Sequence, residues 1–196
     1  TISSNSVAAP AAMKSPVNFG WDRMTKQQPP RPRHISQGEY AISDPEHESI
    51  STILGSCVAT CLFDPAARLG GMNHFLLPES SGITIQAASF GVNAMEILIN
   101  ALIKSGANRQ RLKAKVVGGA RMIAGLSDIG QKNATFVLDF LSREGIDCVG
   151  QSLGGTQARR IEFWPSDGRA RQRLLGEAQV FETVAKPKPG NEVELF

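Results

Sequence analysis

Cysteine and histidine are both scarce in this chain, three of each among 196 residues. The cysteine count is odd and shows no Cys-x-x-Cys spacing. That argues against a disulfide framework or a zinc ribbon and fits a reduced, cytoplasmic protein. No apolar run approaches the ~18 residues a bilayer span needs, so membrane insertion is not expected. The opening Thr1-Ile2-Ser3-Ser4 lacks a basic region leading into an apolar segment, which gives no sign of a secretory signal. The body also lacks a surplus of positive charge. Residues 1–34 carry a net +4 and the remainder a net −1, so the overall +3 belongs to the leading segment. A nucleic-acid-binding domain would normally carry a basic excess in its folded part, and no nucleic-acid partner is expected.

What is present fits one globular domain with flanking tails: 41% hydrophobic and 20% charged residues. Residues 1–34 are rich in proline and small residues, interrupted by Phe19, Trp21 and Met24, and are expected to form a disordered or extended leader. The folded domain is expected over residues 35–180. A mobile tail, with Lys186-Pro187-Lys188-Pro189-Gly190, is expected over 181–196.

Within the domain, strands are predicted over 37–43, 49–54, 57–63, 68–77, 113–117, 146–149 and in a hairpin over 161–175. The hairpin turns on Pro165-Ser166-Asp167-Gly168. Pro78 to Thr84 reads as a loop rich in serine and glycine. Apolar residues at Val92, Met95, Leu98, Ile99, Leu102 and Ile103 mark a helix ending at Gly106. A second helix over 133–144 turns Phe136, Val137, Phe140 and Leu141 inward. Cys148, on a short strand, is expected to be buried and inert, and His47, among charges, exposed.

One stretch carries chemistry. Leu54-Gly55-Ser56-Cys57 is followed seventeen residues later by His74 in Gly70-Gly71-Met72-Asn73-His74-Phe75. Asp64-Pro65-Ala66-Ala67 suits a type I turn joining two strands. With those four residues as the loop, Phe63 pairs with Arg68 and Cys57 falls opposite His74. Directly opposed residues share a face with Cβ atoms roughly 4.5–5.5 Å apart. A thiol needs such a neighbour, because only the thiolate attacks and an imidazole can take its proton. Gly55-Ser56 would let the backbone bend and present N–H groups as an oxyanion hole. The plain alternative is an inert cysteine and a satisfied core histidine on adjacent strands. Cys61 shares the face of Cys57, but four residues of strand place it about 13 Å away, too far for a disulfide or a shared Cys57–Cys61–His74 zinc site. Gly118-Gly119 and Gly154-Gly155 match neither phosphate-loop pattern and read as tight turns. Arg109, Arg111, Lys113, Arg159 and Arg160 are either solvated charge or contacts for an acidic partner.

Together with Gly118-Gly119-Ala120 and Gly154-Gly155 before Arg159, these motifs resemble the chemoreceptor glutamine deamidases, the CheD family, over about Ile35 to Arg173. The resemblance implies a layered α/β fold of mixed sheets with two main helices, similar to toxin-type cysteine glutamine deamidases. It implies a protein-glutamine glutaminase that converts glutamines of methyl-accepting chemotaxis receptors to glutamates. No metal or cofactor is required. A CheC-type phosphatase is the implied second partner. Carried onto this chain, Cys57 is the nucleophile and His74 the base. The family's third catalytic position, a threonine six residues before the cysteine, is occupied by Ser51, with Thr52 adjacent. Six residues of extended chain span ~20 Å, so that contact needs a bend near Gly55 or an approach from a neighbouring strand. The rival readings are a non-catalytic adaptor that binds receptors or the phosphatase, and a thiol peptidase or transglutaminase-like acyl transferase.

Overall fold

A computed structural model describes residues 31–44, 47–78, 85–122 and 129–176. The expected leader up to residue 30, the tail from 177 and the loop at 79–84 lie outside the described residues. In chain order the elements are β1 (Arg33–His34), β2 (Tyr40–Ile42), β3 (Ile50–Leu54), β4 (Val58–Asp64), β5 (Leu69–Phe75), α1 (Ile85–Lys104), β6 (Lys113–Gly118), α2 (Ile129–Arg143), β7 (Asp147–Leu153), β8 (Arg159–Trp164) and β9 (Arg169–Leu174), with a 3-10 turn at Arg109–Arg111. The first strand begins two residues before the expected domain start, pairing in parallel with β3 through Arg33–Ile50 and His34–Ser51.

The strands form two sheets, in the orders β1-β3-β8-β9 and β2-β5-β4-β6-β7. Strand β4 is central in the second sheet and buried along its whole length, because it is covered on both faces. Its even residues, Val58 and Leu62, face the helices and pack with Phe75, Met95, Leu98, Ile99 and Leu102. Its odd residues, Ala59, Cys61 and Phe63, face the other sheet and pack with Ile50, Leu54, Met72, Ile161 and Phe163. The result is three layers: helices, five strands, four strands. This is the mixed α/β architecture expected, with two helices on one side.

Helix α1 has an 18-residue window, Ala87–Lys104, long and apolar enough by composition to cross a membrane, contrary to the expectation that no run approached that length. Its hydrophobic stripe has another use. Met95, Leu98, Ile99 and Leu102 are fully buried on the sheet, each worth about 1.5–3 kcal/mol over exposure. Val92 and Ile103, expected in the same stripe, lie at its margins and remain 41% and 37% exposed. Helix α2 buries Val137, Phe140 and Leu141 as expected, and starts four residues earlier than the periodicity indicated.

Three further expectations need correction. Cys148 is exposed, because β7 is the edge strand of its sheet. His47 is half-buried beside Asp44 rather than exposed. The arginines offered as partner contacts mostly serve the fold. Arg109 pairs with Glu144, and Arg111 with the fully buried Asp64 at 2.8 Å. Asp64 also accepts from the N–H groups of Ala66, Ala67 and Asn108. These donors, with the Arg111 guanidinium foremost, hold its carboxyl well below the usual carboxylate range. Arg159 is buried and donates to Ser152 O, Ser152 Oγ and Gly154 O.

Candidate active site

Three segments converge at the top of the two sheets: the Gly55–Cys57 link between β3 and β4, the end of β5, and the Ser36–Glu39 turn. The hairpin joining β4 to β5 sets the first relation. Asp64 pairs with Leu69 and Ala59 with His74. The loop is therefore 65–68, one residue later than expected, with Arg68 at φ 54°, and Cys57 lies diagonal to His74 rather than opposite it. The face is unchanged, because moving the register by two pair positions preserves the alternation of side chains. Both residues point between the sheets.

Backbone contacts hold the cysteine segment in place. Gly55 O accepts from Ala120 N at 2.9 Å and Cys57 O from Gly119 N at 2.8 Å. Ser56 O accepts from Asn133 Nδ2 at 2.9 Å. Asn133 is fully buried on α2, and its Oδ1 accepts from Leu77 N at 2.9 Å, just past β5. One side chain thus ties the cysteine segment to the histidine strand. Gly118 has φ 122°, and a Cβ there would overlap the Cys57 carbonyl oxygen. The Gly118-Gly119 turn therefore seats the cysteine segment, and Gly154 N in turn donates to Gly118 O. Both double-glycine sites are structural turns stacked behind this segment.

Cys57 is 1% exposed and packs at the edge of the inter-sheet core. The sulfur is nonetheless not enclosed by hydrocarbon alone, since its Sγ donates to Gln37 Oε1 at 3.6 Å. Cys61, two steps of the alternation deeper, is fully buried, and burial pushes its thiol far up.

His74 Nδ1 lies 2.8 Å from Thr52 Oγ1. The Thr52 hydroxyl donates to Ile35 O at 2.7 Å, which leaves its lone pair to accept from Nδ1–H. That relay fixes the tautomer: the proton sits on Nδ1 and the lone pair on Nε2. Nε2 is buried with no hydrogen-bond partner among the described residues. Burial pushes the imidazole pKa down to about 4, with His34 adding to the shift and Glu39 opposing it. The ring is neutral at pH 7.

Ser51, the position carried over from the resemblance, lies elsewhere. Its hydroxyl faces His34 Nδ1 at 3.4 Å. Thr52 shares its side of β3 with Ile50 and Leu54, which both pack in the inter-sheet core. The signal was in the sequence, as an apolar alternation with Thr52 on the inward parity. Asn133 had no such signal. Among the described residues no three His, Cys, Asp or Glu side chains cluster as metal ligands.

Beside His74, a shallow groove runs between the Gly38–Tyr40 segment and α1. Tyr40, Phe90 and Ile97 line it and are 43%, 45% and 40% exposed.

Comparison with known proteins decides the family. The family model for CheD chemotactic sensory transduction matches residues 76–174. A protein of Agrobacterium fabrum named probable chemoreceptor glutamine deamidase CheD is 53% identical over 173 residues, covering 83% of this chain and 95% of its own. The chain belongs to the CheD family. Proteins of the same name from Rhizobium leguminosarum bv. trifolii and Caulobacter vibrioides are 50% and 48% identical, covering 95% and 92% of their own lengths. An aligned stretch of 83% of this chain contains Thr52, Cys57 and His74 wherever it begins. Among solved structures, the Bacillus licheniformis hypothetical protein YfiH matches with a TM-score of 0.40 at 12% identity, covering 63% of this chain and 59% of that one.

Proposed function

We propose that this CheD-family chain is a cytoplasmic amidohydrolase that converts glutamine side chains of methyl-accepting chemotaxis receptors to glutamates, with Cys57 as nucleophile and His74 as base. The names of its relatives support the substrate. The observation that carries the chemistry is the Ile35 O–Thr52–His74 relay, which leaves a buried, unpartnered imidazole nitrogen on the face that holds the Cys57 thiol.

At rest the Cys57 thiol donates to Gln37 Oε1, and the neutral imidazole on the same face keeps Nε2 without a hydrogen-bond partner among the described residues. As Sγ adds to the amide carbon, its proton passes to His74 Nε2. The carbonyls of Gly55 and Ser56 are held by Ala120 and Asn133. In a trans peptide the following N–H points the opposite way. Ser56 N–H and Cys57 N–H are thereby aimed away from those anchors, as oxyanion donors. His74 then protonates the departing ammonia, leaving a thioester, and activates the water that releases glutamate. Thr52, rather than Ser51, orients the ring. The receptor's glutamine amide takes the place that the Gln37 carboxamide holds against the Cys57 sulfur. The CheC-type phosphatase implied by the family is the second partner, and its co-purification with the tagged chain tests that part.

The deciding experiment is mass spectrometry of a receptor cytoplasmic fragment incubated with wild type and with Cys57→Ala. A gain of about one mass unit at specific glutamines with wild type only, and with ammonia released, supports the Cys–His amidase. Equal modification with Cys57→Ala would return the chain to the adaptor reading. Backbone cleavage or amine incorporation would make it a peptidase or acyl transferase.

A further inference from the structure

The side chain resting on the nucleophile is itself a primary carboxamide. Gln37 is the second residue of a turn whose Glu39 N donates to Ser36 O at 3.1 Å. Gly38 follows it at φ 85°, as a type II turn requires. The turn is fastened to the histidine strand: Gly38 N donates to His74 O at 2.7 Å, and His74 N to Glu39 O at 3.0 Å. Glu39 Oε2 closes it by accepting from Ser36 N at 2.8 Å. Ile35, just before it, is buried and supplies the carbonyl that Thr52 holds. The backbone on both sides of Gln37 is thus pinned to the catalytic strand and relay. Gln37 is exposed, yet its Oε1 meets a sulfur that is almost fully occluded. A glutamine amide from a substrate has to occupy that same place.

We propose that Gln37 is an in-chain substrate of this site, its side-chain amide hydrolysed by Cys57 to a glutamate carboxyl. The inference rests on the Cys57–His74 reading above. The balance is that of the external reaction. Sγ adds to Gln37 Cδ while the thiol proton moves to His74 Nε2. The C–N bond breaks and ammonia leaves with that proton. Water, giving its proton to His74, splits the thioester, which restores the thiol and leaves a carboxyl where the amide stood. The sum is one amide and one water giving one acid and one ammonia. No other reactant enters.

The sequence makes the test clean. The tryptic peptide from His34 to Arg68 contains Gln37 and no other carboxamide side chain. A gain of about one mass unit on that peptide therefore reports Gln37 alone. The full chain, wild type and Cys57→Ala, is incubated at neutral pH with and without a receptor cytoplasmic fragment, and the peptide is followed with time. The exposed Gln110 serves as the reference for uncatalysed loss. The expected result is acid at Gln37 in wild type, either already complete on purification or accumulating at least about tenfold faster than in Cys57→Ala. Where it is still accumulating, the receptor fragment slows it by competition. Wild type that modifies the receptor fragment while Gln37 stays an amide would overturn this inference and leave the proposed function standing. Equal conversion in Cys57→Ala would overturn it as spontaneous. An inert wild type, on both substrates, would overturn both.

Discussion

Removing the Thr52 hydroxyl should disable His74, the proposed base, while leaving the Thr52 position filled. Thr52→Val keeps the shape and deletes the atom that accepts from His74 Nδ1–H at 2.8 Å and donates to Ile35 O at 2.7 Å. A buried donor left without its partner costs about 1–3 kcal/mol. The imidazole can avoid that penalty by turning or by moving its proton to Nε2, and either response removes the lone pair that the thiol needs. At about 1.4 kcal/mol per tenfold in rate, kcat/KM should fall roughly 5- to 150-fold. Ser51→Ala deletes only a hydroxyl 3.4 Å from His34, and should cost less than about threefold. Thr52→Ser, which keeps the relay oxygen, should recover most of the activity.

Initial rates of glutamate formation on a receptor fragment, read by mass spectrometry, give the three values. Urea unfolding of each variant separates lost catalysis from lost fold. A large deficit in Ser51→Ala beside a near-normal Thr52→Val would refute the relay and return the orienting role to Ser51.

Other consequences follow from the same geometry. Asn133→Leu removes the tie between Leu77 N and Ser56 O. It should lower the unfolding free energy by about 2–6 kcal/mol in urea, two buried backbone groups losing their partner, and slow turnover in whatever fraction remains folded. Gly118→Ala forces a side chain onto φ 122° against the Cys57 carbonyl. It should cost at least about 1–3 kcal/mol and displace the nucleophile, seen as a fall in kcat that KM does not share. His74 gives a pH signature. Its folded pKa is depressed to about 4 from the ordinary 6.5, so between those values the unfolded chain holds a proton that the folded chain refuses. Stability is full above pH 6.5 and falls as the pH is lowered, by about 2–3 kcal/mol at pH 4.5 from this group. His74→Leu, compared at pH 7.5 and 4.5 in urea, should show a correspondingly shallower loss. An unchanged slope would mean the ring is protonated in the fold.

Both helices, most strands and the common face of Cys57 and His74 were legible in the sequence because they rest on periodicities of two and 3.6. Errors fell where a tertiary partner decides the outcome. The Asp-Pro turn was recognised but placed one residue early, because Asp64 stays in the strand, paired with Leu69, and caps Ala66 and Ala67 from there. That slip moved the pairing by two positions, so Cys57 and His74 kept a common face even though the pairing was wrong. Face parity is thus a sturdier inference than contact.

The third member of the constellation shows the opposite case. Counting six residues back from Cys57 gave Ser51, on the parity facing His34. The residue that meets His74 is Thr52, on the inward alternation Ile50, Thr52, Leu54, and it does so from the other sheet. A strand of one sheet can touch a strand of its own sheet only at a spacing the hairpin sets. Across two stacked sheets the spacing along the chain sets nothing, and only the face does. Asn133 and Gln37 extend the same reasoning. Each reaches the cysteine segment from an element not adjacent to it in sequence, one from a helix and one from a turn. Their roles depend on how the layers stack, which no local pattern encodes. A chain that kept Cys57 and His74 but repacked α2 or the Ser36–Glu39 turn should therefore lose the proposed activity with both residues intact. Replacing Asn133 alone tests that dependence on the α2 side.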